Sequence, residues 1–386
     1  MGKVAEKVTE RNSGLAYQQV LTNSATHGIV RQSEYFDRIV AGKNHLDAYY
    51  VVNPNDYVYN PRISKEAQCG PINRNTLELT GIASPLYLVF RVSPQSLAYE
   101  FLDQYFKTAN WFNYMKLQGN SGARSDRFTI ADSDFFSMPV RIPSLPEQHR
   151  IGEFFSTLDS LIAAAERQEA LLRQKKQAYL QLMFPREGET QPRLRFAGFH
   201  GEWERQQLGD VISAAGIKNK ERQNLQSYSI SNQSGFVPQS EQFDNGGKPL
   251  DADKSSYWIV APHSFAYNPA RINVGSIGYW DGKEPVIVSS LYEVFQTHES
   301  VDDSFLLNWF QTCLFTNQIA KRQEGGVRQY FFFDKLQESL ISLPTLPEQQ
   351  RIGEFFYILD SLIATAEKHT ESSRALKSSY LQRMFV

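Results

Sequence analysis

Leu145-Pro-Glu-Gln-His-Arg-Ile-Gly-Glu-Phe-Phe155 returns 201 residues later as Leu346-Pro-Glu-Gln-Gln-Arg-Ile-Gly-Glu-Phe-Phe356. Without gaps, residues 145–184 and 346–385 share 25 identities in 40 positions. Chance supplies about two or three, so the chain is a duplication. The repeat extends backwards with more drift. Tyr59-Asn60-Pro61-Arg62 matches Tyr267-Asn268-Pro269-Ala270-Arg271, Ser84–Phe90 matches Ser289–Phe295, and Gly122-Ala-Arg124 matches Gly326-Val-Arg328. The order is therefore variable globe, near-identical arm, variable globe, near-identical arm. The boundaries read as residues 1–141, 142–190, 191–341 and 342–386.

Each arm opens at a proline pair, and proline with a neighbouring glutamate suits a first helical turn. Ile151, Leu158, Ala165, Leu172 and Tyr179 then recur every seven residues, with Phe155, Ile162 and Met183 in the d-type places and Glu169 and Lys176 interrupting them. Ile352, Phe356, Leu359, Ile363, Ala366, Tyr380 and Met384 repeat the seam. The pattern predicts two helices of roughly 57 Å, packed antiparallel in a coiled-coil-like manner. Most of the stripe is a packing seam. Leftover apolar positions, Phe154, Leu161 and Leu182 with Phe355 and Leu362, are candidates for docking another subunit.

In the globes, 257–261, 275–279 and 285–288 read as short strands bounded by Asn245-Gly246 and Asp281-Gly282, while 305–322 reads as one amphipathic helix closed by Gly325-Gly326. Each globe is mixed α/β. Arg195-Phe196-Ala-Gly-Phe199-His-Gly-Glu-Trp203 leads into the second globe. Met1–Val4 aligns with Leu208–Val211, which places the N-terminus about 18 residues short of the repeat.

Composition narrows the class. The 386 residues carry net charge −2 with two cysteines, Cys69 and Cys313, which supply neither a disulfide framework nor a zinc site. No stretch reads as a signal peptide or a membrane span, and the cysteine usage fits a reducing cytoplasm. Residues 1–140 are net +1 and residues 191–341 net −3, so no basic footprint is visible.

No phosphate loop, dinucleotide fingerprint, zinc-protease helix or nucleophile elbow is present, which gives no catalytic residue, no metal ligand and no cofactor on this chain. Asn60-Pro61 and Asn268-Pro269 lack the second proline and the aromatic of amino-methyltransferase motifs, so a strand-end turn holding Tyr59 with Arg62 and Tyr267 with Arg271 is the better account. Arg124 with Arg127, and Arg328 behind Lys321-Arg322, follow a helix and a glycine turn. They read either as contacts to guanine or phosphate or as caps on the preceding helix. Lys218, Lys220 and Arg222 form either a phosphate patch or a solvated loop.

Globe–arm–globe–arm, Leu-Pro-Glu-Gln opening each arm, Arg-Phe-x-Gly-Phe-x-x-x-Trp before the second globe and Tyr-Asn-Pro-x-Arg inside it together resemble the specificity (S) subunit of type I restriction–modification systems. The resemblance covers nearly the whole chain, except the missing N-terminal lead-in. It implies two target recognition domains, each reading half of a bipartite double-stranded DNA site. The helices would act as spacer and dock two modification subunits. Those subunits would use S-adenosylmethionine, and restriction subunits ATP with Mg²⁺, in a bacterial defence complex of the cytoplasm. The alternative is an S-like DNA-binding module of another assembly, or an orphan without an active partner.

Overall fold

The arm sequence explains where each long helix begins. In the computed structural model the two arms are helices Leu145–Met183 and Leu346–Met384, 39 residues each, or about 58 Å. The amides of Glu147 and Gln148 bond the Ser144 carbonyl at 2.9 and 3.0 Å, and those of Glu348 and Gln349 bond Thr345 at the same distances. Pro146 and Pro347 fall where the helix needs no donor. Gln148 is buried; its Oε1 accepts from the Ala98 amide at 2.8 Å while its Nε2 donates to Pro143 and Ser96. Gln349 does the same with Asp302, Pro344 and Ser300. The glutamine of Leu-Pro-Glu-Gln thus clamps each helix to its own globe. The glycine directly after Arg-Ile in each arm lets the globe come close: a Cβ on Gly152 would lie 2.5 Å from the Glu100 Cβ, and one on Gly353 would lie 2.8 Å from the Ser304 Cβ.

The described residues are 1–36, 43–120, 126–242, 254–323 and 330–385. They form two compact units, Met1–Glu166 with Lys368–Val386, and Arg167–Glu367. Each unit therefore holds one globe, the first part of one long helix and the last part of the other. In unit 1 the Phe154 ring meets Tyr380 edge-on at 5.1 Å, Asp159 hydrogen-bonds Lys377, and Glu166 pairs with Arg374 at 2.7 Å. In unit 2 Tyr179 meets Phe355 edge-on at 5.1 Å, Lys176 pairs with Asp360 at 2.6 Å, and Arg173 pairs with Glu367. Within each unit the pairs run antiparallel. Of the polar residues that interrupt the heptads, Lys176 pairs across the seam with Asp360, while Glu169 pairs with Arg173 one turn along its own helix.

Each globe contains two sheets. In unit 1 one sheet orders Ala5–Lys7, Leu88–Val92, Tyr57–Tyr59 and Ile72–Arg74; the other orders Gly28–Arg31, Val20–Ser24, Gly81–Ala83 and Tyr50–Val52. In unit 2 the corresponding sheets are Ile212–Ala214, Glu293–Thr297, Ser264–Tyr267 and Ile277–Trp280, and Ile217–Lys218, Trp258–Val260, Val286–Val288, Ser227–Ser231 and Gly235–Pro238. Each globe has one parallel pairing, Val20–Ser24 with Gly81–Ala83 and Ser227–Ser231 with Val286–Val288, and the rest are antiparallel. The cores repeat too: Tyr57 stacks on Phe90 at 5.3 Å and Phe265 on Phe295 at 5.0 Å. Unit 2 adds a two-stranded sheet, Glu204–Gln207 with Leu340–Leu343.

The expected strands in 257–288 are present within a residue or two of their ends. The expected single helix over 305–322 is two helices, Asp303–Trp309 and Cys313–Arg322. Thr312 breaks it: its hydroxyl donates back to the Trp309 carbonyl at 2.7 Å, and its backbone leaves helical geometry at ψ 156°. The break lets Trp309, Phe310 and Phe315 all turn into the core. The turn at Asn245-Gly246 and the Gly325-Gly326 cap lie outside the described residues.

Candidate nucleic-acid interface

The Tyr-Asn-Pro segment ends a central strand in each globe and turns the chain outward. The Asn60 Oδ1 accepts from the Arg62 amide, and the Asn268 Oδ1 from the Ala270 amide, both at 3.0 Å. Each asparagine so closes a tight turn. The Pro61 carbonyl accepts from the Phe128 amide at 2.8 Å, and the Pro269 carbonyl from the Phe331 amide at 3.0 Å. This ties the turn to the segment just before the next short helix, Asp132–Phe136 in one globe and Phe333–Gln337 in the other. Arg124 and Arg328 themselves lie outside the described residues.

The two tyrosines expected beside these arginines do not face outward. Tyr59 is buried; its hydroxyl donates to the Cys69 carbonyl at 2.9 Å and its ring stacks on Phe135. Tyr267 is fully buried, and its hydroxyl has no hydrogen-bond partner among the described residues. Burial pushes both phenols up from their ordinary range. They are core residues: both central strands are buried on both faces, and alternation sends Tyr57 and Tyr59 to one core and Val58 to another, as it does Phe265 and Tyr267 against Ala266.

Arg62 and Arg127 are brought together. They face each other across an isolated antiparallel bridge and line one open cleft of about 410 Å³. Arg62 is exposed and lies 3.8 Å from the Asp126 carboxylate. Opposite them the exposed rings of Tyr35 and Phe36 line the same cleft. Cation and aromatic together suit phosphate contact and base stacking. The aromatics went unnoticed in the sequence, although the adjacent Tyr35-Phe36 after a polar run was the signal available.

The second globe presents a different surface. The Lys218 ammonium sits 3.2 Å from the centre of the Trp258 ring and donates to the Ser256 carbonyl at 2.9 Å, so it is held locally rather than extended. Burial lowers its pKa. Asn219, buried, braces the next turn by bonding the Gln223 carbonyl and amide, and this leaves Lys220 and Arg222 exposed. Arg271 is exposed on the other sheet's turn. Lys321 is an ion-pair partner of Glu187, and Arg322 donates to Gln318 one helical turn back. These contacts tie the two side chains to the linker and to their own helix.

The helix positions divide in the same way. Ile151, Phe155, Ile162, Ile352, Phe356, Leu359 and Ile363 are buried within the chain, so they form the seam and are not available to dock a partner. Leu158 is half-buried against the first core, and Phe355 is half-buried beneath Phe196 at 5.9 Å. Phe154, Leu161, Leu182 and Leu362 remain exposed, Leu161 at 59% and Leu362 at 50%.

Among the described residues no cluster of histidine, cysteine, aspartate or glutamate could hold a metal, and no helix is long and apolar enough to cross a membrane. What the units carry instead is a tandem-duplicated α/β fold with charged, aromatic-edged surfaces that differ between the copies. That combination defines a duplicated α/β fold built on long helices. Residues 200–372 match the family described as type I restriction modification DNA specificity domain. A type I restriction enzyme MjaVIII specificity subunit of Methanocaldococcus jannaschii is 22% identical over 287 residues, covering 65% of this chain; the match spans 62% of that relative's length. The fold is that of solved specificity subunits. A chain from a structure of a type I R-M system, described for its complex assembly and conformational transition, superposes with TM-score 0.55 at 15% identity, covering 98% of this chain and 95% of that one. The S subunit from M. genitalium gives TM-score 0.52 at 13% identity, covering 87% and 84%. The HsdS subunit of Thermoanaerobacter tengcongensis gives 0.50 at 15%, covering 100% and 95%.

Proposed function

We propose that this chain is the DNA sequence-specificity subunit of a type I restriction–modification complex, itself without catalytic residues. Each globe, residues 1–141 and 191–341, reads one half of a bipartite double-stranded DNA target, while the arms 142–190 and 342–386 set the gap. The observation that carries this reading is the contrast between copies: the helices share 25 of 40 positions, whereas the globes drift, and Tyr35 of the Arg62–Arg127 cleft, in Gln32-Ser-Glu-Tyr35, is replaced by Gln242 in the matching Gln239-Ser-Glu-Gln242. Sameness suits a common scaffold, and difference suits two unlike half-sites. The exposed Phe154 and Leu161 of one unit, and Leu182 and Leu362 of the other, supply docking positions for two modification subunits. Those subunits bring S-adenosylmethionine, restriction subunits bring ATP and Mg²⁺, and the assembly works in the cytoplasm.

The test is a genome-wide map of methylated adenines after co-expression with the modification subunit in a methylation-free host. A split motif with unequal halves and a constant gap is expected. No modified adenines, despite an assembled complex, would sink the proposal in favour of an S-like module serving another assembly. Replacing Arg62 and Arg127 with alanine should relax one half of the motif only. Phe154→Asp with Leu161→Asp should abolish co-purification with the modification subunit while both globes stay folded.

A further inference from the structure

The duplication lets each globe serve as the reference for the other, and one turn keeps its frame while exchanging its tip. Arg11 bridges Tyr50 in the first globe, as Lys218 pairs with Trp258 in the second. Each cation lies over the ring that it faces, 3.6 and 3.2 Å from the centre, and donates to the carbonyl two residues before that ring, Ala48 at 2.5 Å and Ser256 at 2.9 Å. The next residue is a buried asparagine in both copies. The Asn12 side chain bonds the amide and the carbonyl of Tyr17, as that of Asn219 bonds those of Gln223. The backbone carbonyl of each asparagine accepts from the residue three places on, the Leu15 amide at 2.8 Å and the Arg222 amide at 2.9 Å.

Those last two residues share a costly backbone. Leu15 and Arg222 both sit at φ 52°, in the left-handed region where glycine is the unstrained choice. The first copy has a glycine one place earlier, at Gly14, and the second has Glu221 there. Both tip side chains are exposed, Leu15 at 54%, so core packing is not what keeps a side chain at this position. A left-handed residue that is not glycine in either copy, and that changes from apolar to cationic between them, is a side chain presented rather than packed. A constant frame under a variable tip is the construction of a binding loop on a rigid scaffold.

We propose that this turn is a base-reading element of each globe, with Leu15 and Arg222 as specificity-determining residues, an assignment that rests on each globe reading one half-site. Arg222 takes a guanine through its O6 and N7 atoms, and Leu15 packs on the methyl group of a thymine in the other half-site. Arg11 and Lys218, committed to their rings, position the turn and read no base. The exchange of leucine for arginine at one backbone position is then one source of the difference between the half-sites.

The test uses the chain assembled with its modification subunit, and maps the methylated motif for wild type, Arg222→Leu and Leu15→Arg. Each substitution installs the residue that the other copy already carries at φ 52°, so neither strains the turn further. Arg222→Leu should relax one guanine of one half. Leu15→Arg should relax one thymine of the other, the half that Arg62→Ala with Arg127→Ala also relaxes. In binding titrations, 7-deazaguanine at that guanine should weaken the wild-type complex about tenfold, and uracil at that thymine about fourfold, while the corresponding variant loses nothing more. Arg222→Gly and Leu15→Gly should relax the same positions with the melting temperature unchanged or higher, which a merely structural turn would not give. A split motif that the variants leave unaltered, or that both relax in the same half, overturns the inference and leaves the specificity reading standing. A wild-type complex without a split motif removes both.

Discussion

Arg195→Ala tests the physics of the unit 2 lead-in most directly. The Glu348 side chain is 1% exposed and Arg195 15%, with two short hydrogen bonds between them. Arg195 also donates to the carbonyls of Gly201 and His200 at 2.6 and 3.1 Å, so it fixes the lead-in as well as neutralising the carboxylate. Removing one partner of such a buried pair leaves a charge without compensation, at a cost of about 3–5 kcal/mol. For a unit of this size that is roughly a 10 °C fall in its melting temperature. The assay is thermal unfolding followed by tryptophan fluorescence. Trp203, Trp258, Trp280 and Trp309 lie in unit 2 and only Trp111 in unit 1, so the signal reports chiefly the perturbed unit. Arg195→Met with Glu348→Leu should recover most of the loss, because the charge is removed along with its partner. The equivalent change in unit 1, Glu147→Gln, should shift stability by no more than about 0.5 kcal/mol. A fall below about 2 °C for Arg195→Ala, or an equal fall for Glu147→Gln, would refute the account.

Three further outcomes are expected. Tyr267→Phe should be neutral or slightly stabilising in denaturant melts, because it removes a buried hydroxyl without a described partner, whereas Tyr59→Phe should lose about 1 kcal/mol with its bond to Cys69; neither should change the DNA target, and a changed target would return these tyrosines to the interface. Burial works against ionisation of Asp159, but the Lys377 hydrogen bond and the charges of Lys107 and Lys377 outweigh it and hold its carboxyl below the ordinary range. A depressed folded pKa gives stability that is complete above the unfolded value near 4 and lost as pH falls through the folded value, so Asp159→Asn should flatten the acid limb of unit 1 below about pH 4, read by Trp111; an unaltered limb would contradict the pairing. Finally, Asp159→Lys should loosen unit 1 alone, by about 1 kcal/mol at this half-exposed seam, and adding Lys377→Asp should restore it; equal loosening of unit 2 would show that the seam pairs are otherwise arranged.

The arms were legible because several constraints act on every residue of Leu-Pro-Glu-Gln-x-Arg-Ile-Gly-Glu-Phe-Phe. Proline starts the helix, glutamine clamps the globe, glycine admits the crossing helix, and isoleucine and phenylalanine fill the core. Periodicity carries such constraints into the sequence. The break at Thr312 was not legible, since residues 305–322 have helical spacing throughout and only the need to bury Trp309, Phe310 and Phe315 together splits them. The candidate interface was half legible. The Asn-Pro turn is legible as a strand-end turn, but the face that Tyr59 takes is not, because a strand residue beside a turn cannot be given a face without the register. The sequence leaves Lys218 open between a phosphate patch and a solvated loop, and its place on the Trp258 ring, forty residues away, is not legible from it.

The seam also explains why the arms stay alike while the globes drift. Asp159 pairs with Lys377 and Lys176 with Asp360; Glu166 pairs with Arg374 and Arg173 with Glu367; Phe154 meets Tyr380 and Tyr179 meets Phe355. Each arm therefore carries both partners of every pair, and each residue faces the duplicate of its own partner. A change at Asp159 is tolerated only with a matching change at Lys377, in the other arm, while the same positions in the second unit hold the original pair. Two arms that must answer to each other twice are pinned near identity by packing and charge. No such reciprocity binds Arg62 to Arg271 or Trp258 to Tyr50, because each globe closes its own core. Free drift in the globes over a fixed seam is what allows one scaffold to carry two unlike surfaces.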